Sequence, residues 1–136
     1  MLFRSIMGTR SLTYVYDDYS VNTPIMCMYR QYDGYPSGHG AELSEFLHDG
    51  KLVNGIPFGS TAKMFNGMGC LAPQLVAHFK NEVGGFYLYP PVLGQSCGQE
   101  YEYHIRKDEI KILDGDAAIL FMGTWEEFAE FCEAYA

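Results

Sequence analysis

At 136 residues the chain is long enough for one domain with a sizeable core, and 48% hydrophobic residues place it in the globular range, which excludes a disordered polymer. The formal charge is −8 and no basic cluster exists, so the electrostatic footprint of a nucleic-acid binder is missing. The apolar opening Met1–Met7 is too short for a membrane span or a secretory core.

Acid is unevenly spread: five Lys/Arg stand against six Asp/Glu through residue 68, and four against eleven beyond it. A nucleic-acid mimic would spread acid over one long face. Here much of it falls on the last helical segment, where it reads as a solvated surface. Eleven tyrosines point to rings half-buried at a core edge, pocket or interface. The four cysteines, Cys27, Cys70, Cys97 and Cys132, form no CxxC pair. They read as free thiols in a reducing, cytoplasmic compartment. Met7 is an alternative start, with residues 1–6 an upstream or disordered extension.

Thr9–Tyr16 is rich in β-formers and predicts a strand, followed by a turn over Asp17–Ser20. Ile25–Gln31 predicts a second strand, antiparallel to the first. Neither of its faces is polar, so it should be covered on both sides. A helix is expected near Gly40–His48, with Leu43, Phe46 and Leu47 as its apolar stripe, Ser37 as N-cap and Gly50 as a left-handed stop. Residues 51–68 read as irregular. A second helix is expected over Leu71–Val83, with Pro73 in its first turn, a stripe of Leu71, Leu75, Val76, Phe79 and Val83, and Gly84-Gly85 ending it.

Phe86–Tyr89 predicts a short strand stopped by Pro90-Pro91. Tyr101, Tyr103 and Ile105 alternate with Glu100, Glu102, His104 and Arg106, the period of a half-exposed strand with a solvated His104. Asp114-Gly115 between apolar runs predicts a two-residue type I′ hairpin pairing Ile112 with Ala117 and Ile110 with Ile119. Thr124 and Glu127 have capping-box spacing at the start of a last helix, whose Phe128, Phe131, Cys132 and Tyr135 face inward. The ensemble predicts a single α+β domain over 1–136, a largely antiparallel sheet with about three helices packed on it.

The densest chemistry lies in Gln31–Gly40, QYDGYPSGHG. A helix starting beside Gly38 and Gly40 would turn free N–H groups toward an anion, and Arg10 or Arg30 would supply countercharge. The competing expectation is a rigid turn in which Tyr32 and Tyr35 cover the core and Asp33 bonds its own backbone. The spacing matches neither a Walker loop nor a dinucleotide fingerprint. Cys70 at a helix start, and Cys97 in a polar loop, are candidate nucleophiles or plain small hydrophobes. No HxxxH or HExxH spacing occurs, and no metal or cofactor is implied. Asp114-Gly115-Asp116 only superficially opens a calcium loop.

Met7-Gly8-Thr9-Arg10-Ser11-Leu12-Thr13, followed by Tyr29–Gly40, resembles a family of small uncharacterised phage and bacterial proteins. These open with a Gly-Thr-Arg-x-Leu-Thr strand and continue with a Gln-Tyr/Trp-Asp-Gly-Tyr-Pro-x-Gly-x-Gly loop into a helix. The resemblance covers roughly the first third of the chain. It implies a microbial or host-cytoplasmic setting, favours Arg10, Asp33 and the glycines as one site, and carries over no activity.

The leading expectation is a binding module. It would take a small anion or nucleotide, or a protein partner, through Arg10, Arg30, Tyr32, Asp33, Tyr35, Ser37, Gly38, His39 and Gly40. One rival is a hydrolase or transferase with a Cys or Asp/His site near the same loop. Another is an assembly protein whose tyrosines form a homodimer interface. No membrane or nucleic-acid partner is expected.

Overall fold

The computed structural model of the protein describes residues 8–55 and 63–135; the alternative start at Met7 and the stretch around Pro57 and Gly59 lie outside them. A six-stranded mixed sheet forms the frame. Its strands are β1 (Ser11–Tyr16), β2 (Pro24–Arg30), β5 (Phe86–Tyr89), β6 (Tyr101–Ile105), β7 (Ile110–Asp114) and β8 (Ile119–Gly123), in the order β5-β2-β1-β6-β7-β8. Every neighbouring pair is antiparallel except β1–β6, which runs parallel with Thr13 opposite Tyr103. Helices α1 (Ala41–Leu47), α2 (Met68–Phe79) and α3 (Trp125–Ala134) complete an α+β domain.

The main core joins Val15, Met26, Met28, Tyr103, Ile105, Ile110 and Ile112 from the sheet to Leu43, Leu47, Leu71, Leu75, Phe79 and Phe128 from the helices. On the opposite face Leu12, Tyr14, Tyr16, Cys27 and Tyr29 form a smaller cluster with Tyr89 and Cys97. The loop after β5 closes over it, with the Tyr14 hydroxyl donating to Val92 O at 2.9 Å. That roof is why β2 is buried on both faces, as its apolar alternation predicts, and why Tyr14 is buried outright rather than half-buried; Tyr16 is covered by the Arg106 guanidinium and Tyr103 is buried on the helix side.

Several local expectations need correction. Ser37 does not cap α1. A five-residue π-helical turn, Pro36–Gly40, precedes the helix, and no side chain caps either element. Asp49, at φ 59°, takes the left-handed position after α1. Gly50 instead serves close packing, since a Cβ there would meet Phe65 Cζ at 2.8 Å. The region beyond it is not wholly irregular: β3 (Lys51–Val53) and β4 (Met64–Asn66) pair in parallel.

Helix α2 starts three residues early and stops at Phe79. Pro73 therefore lies inside it and leaves the Gly69 carbonyl without its usual donor. Val83 is fully exposed, and Gly84 and Gly85 are left-handed residues of the following loop rather than the helix stop.

The Asp114-Gly115 hairpin is real, but its turn differs. Ala117, at φ 64°, is the left-handed residue, and Gly115 does not have positive φ. Asp114 O accepts from Ala117 N at 3.0 Å, and Asp114 N donates to Ala118 O at 2.9 Å, giving a three-residue loop. The Asp114 carboxylate accepts from Asp116 N at 2.8 Å and Ala118 N at 3.0 Å, which favours this wider turn. The register shifts accordingly: Ile112 opposes Phe121, Ile110 opposes Gly123, and Ile119 is left exposed opposite Leu113.

The capping box of α3 forms in full. Thr124 Oγ1 accepts from Glu127 N at 3.1 Å, and Glu127 Oε1 accepts from Thr124 N at 2.9 Å. Of the four inward residues expected on α3, Phe128 and Cys132 are buried, and Phe131 and Tyr135 are partly so.

Candidate functional site

The loop from Gln31 to Gly40 is tied to the sheet at its base. Gly34 N donates to Thr9 O at 2.8 Å, and the buried Tyr103 hydroxyl donates to Gly34 O at 2.7 Å. Asp33 stands at φ 61°, a position that short polar residues tolerate, with Asp33 Oδ1 accepting from the Tyr35 hydroxyl at 3.1 Å. The main-chain donors then close on the loop itself. Gly38 N reaches Tyr35 O at 2.9 Å, His39 N reaches Asp33 O at 2.8 Å, and Gly40 N reaches Tyr35 O at 3.4 Å. The N–H groups of Gly38, His39 and Gly40 are therefore occupied.

Beneath the loop lies a buried polar cluster. Arg30 projects from the end of β2 on the helix side of the sheet. Its Nε donates to Tyr32 O at 2.7 Å, Nη1 to His39 Nδ1 at 3.2 Å, and Nη2 to Glu42 Oε2 at 3.1 Å. Its guanidinium carbon also lies 5.0 Å from the Phe86 ring centre and 6.0 Å from that of Phe79. Because Nδ1 of His39 accepts from arginine, its Nε2 carries the proton and donates to Thr13 Oγ1 at 2.7 Å. Burial, then the Arg30 charge, pushes the His39 pKa down to about 3. The imidazole is thus neutral, with both nitrogens engaged, and is unsuited to proton transfer with an outside substrate.

The glycines face protein. A Cβ on Gly38 would stand 2.6 Å from Asp33 O, and one on Gly40 would stand 2.7 Å from Cys132 Sγ. One on Gly34 would stand 2.7 Å from Ser11 Cβ and 2.9 Å from Thr9 O. Close packing of the loop on the domain accounts for all three.

The residues expected to form one site thus divide. Arg30, His39, Gly38 and Gly40 hold the loop from within. Tyr32, Asp33 and Ser37 are exposed at its apex, with Tyr35 half-buried beside them. Arg10 is not with Arg30; its side chain lies near Gly98, and its carbonyl accepts from Glu100 N at 2.9 Å. Thr13, Glu42 and Tyr103 belong to the cluster and were missed in the sequence. They sit in separate elements, and only the β1–β6 register brings Thr13 and Tyr103 side by side.

A second buried network lies on the far face. Tyr16 OH and His104 Nδ1 are 2.6 Å apart, His104 Nε2 and Glu102 Oε1 are 3.1 Å apart, and Gln99 Nε2 donates to Glu102 Oε2 at 2.9 Å. His104 is therefore a buried partner, not the solvated surface residue its alternating strand suggests. Its hydrogen bonds hold the Glu102 carboxyl below its ordinary pKa. Three of the thiols offer little nucleophilic character: burial pushes Cys27 and Cys132 up to about 12 and raises Cys97. Cys70 Sγ donates to Gln74 Oε1 at 3.0 Å. All four cysteines are free. Among the described residues, no group of three His, Cys, Asp or Glu is placed to hold a metal ion, and no helix is long and apolar enough to cross a membrane.

Comparison with protein-family models, with curated proteins and with solved structures finds no match to this chain.

Proposed function

We propose that this chain is a binding module that engages a protein partner through the apex of the Tyr32–Gly40 loop. One observation carries the reading. Arg30, His39, Thr13 and Tyr103 fix the loop from below, while Tyr32, Asp33, Tyr35 and Ser37 stand at the surface. A rigid loop bearing tyrosines, a carboxylate and a hydroxyl binds protein surfaces at low entropic cost. Tyrosine offers a large amphipathic area with few rotors, and the backbone is already ordered. A small anion is the less favoured ligand, because the N–H groups of Gly34, Gly38, His39 and Gly40 and the Arg30 guanidinium already have partners.

The test is co-purification from cells of the native source, comparing the parent with Tyr32→Ala/Tyr35→Ala by quantitative mass spectrometry. The expected result is a specific partner lost in the variant at unchanged melting temperature. Identical partner sets from parent and a folded variant would refute the reading. A rise in melting temperature with phosphate, sulfate or a nucleotide would instead favour the anion.

A further inference from the structure

We propose that the loop from Pro90 to Gly98 is a strap that lifts off the sheet while the rest of the domain stays folded, uncovering a polar and aromatic surface on β1, β2 and β6. The two faces of the sheet are covered differently. All three helices pack into the main core, and among the described residues none contributes to the cluster of Leu12, Tyr14, Tyr16, Cys27 and Tyr29 on the far face. There the loop lies over Tyr14 and Cys27. It sets one apolar side chain, Cys97, against the cluster. Val92 and Leu93 turn away and are 58% and 48% exposed. Apolar burial therefore holds the helices far more firmly than it holds the loop.

What fastens the loop is a short set of hydrogen bonds. Besides the bond from the Tyr14 hydroxyl to Val92 O, Gln95 Nε2 lies 3.4 Å from that hydroxyl and 3.7 Å from Cys27 Sγ. The same amide donates within the loop to Pro90 O at 2.7 Å and Val92 O at 3.0 Å. Gln99 acts as a clip. Its Oε1 accepts from Cys97 N at 2.7 Å, and its Nε2 donates to Gln95 O at 3.0 Å and to Glu102 Oε2 at 2.9 Å. Each bond that breaks on lifting is replaced by one to water, so each contributes little net. The chain is anchored on both sides of the strap: β5 pairs with β2 as far as Tyr89, and Glu100 N donates to Arg10 O at 2.9 Å. Gly94, at φ 81°, is free to rotate, because a Cβ there would meet nothing within 4 Å.

Lifting frees the groups that the strap now occupies. Tyr14 is stacked on His104 at 5.0 Å with the planes 13° apart, and Glu102 Oε1 accepts from His104 Nε2. Val92 O and the two glutamine amides fill the hydrogen-bonding positions of Tyr14 and Glu102 as an outside ligand would. The strap is thus a built-in cover for this surface. It is separate from the Tyr32–Gly40 loop, and its opening does not depend on what that loop binds.

Alkylation with iodoacetamide, resolved cysteine by cysteine by mass spectrometry over a urea series below the unfolding transition, tests the strap. Cys27 is fully buried and reacts only when its cover lifts. Its rate should be almost independent of urea, because lifting a loop exposes little surface, whereas global unfolding followed by circular dichroism keeps its full urea dependence. Tyr14→Phe and Gln95→Ala each remove a bond that fastens the strap. Each should speed Cys27 by about twofold to tenfold and leave Cys132, in the helix-side core, unchanged. The urea dependence of the parent needs no substitution, so it decides even where a variant fails to fold. A Cys27 rate with the urea dependence of global unfolding, a rate that neither variant changes, or Cys27 and Cys132 rising together in both variants would overturn the proposal.

Discussion

Arg30→Ala separates a structural from a ligand-binding role for the loop's arginine. The Arg30 side chain is 10% exposed, whereas Glu42 is 51% exposed, so the ion pair itself contributes only about 0–1 kcal/mol after solvent screening. The larger effect comes from what the deletion strands. His39 Nδ1 and Tyr32 O lose their donors, and an unpaired buried acceptor costs about 1–3 kcal/mol. The arginine stem also leaves space against Phe79 and Phe86. Together these predict a loss of about 3–5 kcal/mol. For a domain of this size that lowers the melting temperature by about 10–20 °C. Glu42→Gln should cost about 0–1 kcal/mol. Urea unfolding of the parent and both variants measures the difference. A loss below about 1 kcal/mol for Arg30→Ala, equal to that of Glu42→Gln, would refute the structural role and return Arg30 to the set of free ligand-binding groups.

His39 gives the pH dependence. Its folded pKa, about 3, lies below the unfolded value near 6.5, so its stabilising effect is complete above pH 6.5 and is lost as pH falls toward 3. Urea midpoints of the parent should decline across that window, and His39→Gln should flatten the decline above the carboxylate range. Ala117→Gly should raise stability by about 0.5–1 kcal/mol by relieving the left-handed alanine, while Gly115→Ala should be close to neutral; equal effects at both positions would contradict the turn geometry. Ser11 Oγ is buried with no hydrogen-bond partner, so Ser11→Ala should be neutral or stabilising by about 0–1 kcal/mol, and a clear loss would reveal a partner. Thr124→Ala removes the α3 cap and should cost about 1 kcal/mol in thermal unfolding.

Short-range chemistry was legible in the sequence and long-range pairing was not. The capping box of α3, the apolar stripe of α1 and the β1–β2 hairpin each depend on residues close in the chain. The Asp-Gly hairpin was located but given the wrong turn. The Asp114 carboxylate bonds two backbone amides and carries the left-handed residue on to Ala117. His104 was misplaced because alternation reports only that one face is polar, not that a distant loop covers it. Its partner Tyr16 lies 88 residues away, and only the parallel β1–β6 pairing, invisible to local periodicity, brings them together. The Tyr32–Gly40 loop stands out in the sequence by its residue types alone. Whether its donors faced inward or outward depended on Thr9, Thr13 and Tyr103, which no spacing rule connects to it.

The two polar networks occupy opposite faces of the same parallel strand pair. Thr13 and Tyr103 point to the helices and meet His39 and the loop; Tyr16, Glu102 and His104 point to the far face. A parallel pair buried on both sides is ordinarily filled with aliphatic residues, and each polar group placed there must find a partner. Apolar replacements of similar volume often match or exceed the stability of such groups, so stability alone does not explain them. Their effect here is geometric. The helix-side network sets the position of Gly34 and His39, and hence where Tyr32 and Tyr35 stand. A purely aliphatic junction would pack the sheet without fixing the loop. Arg30, which most resembles a ligand-binding residue in the sequence, is one of the groups that fix where the exposed tyrosines stand.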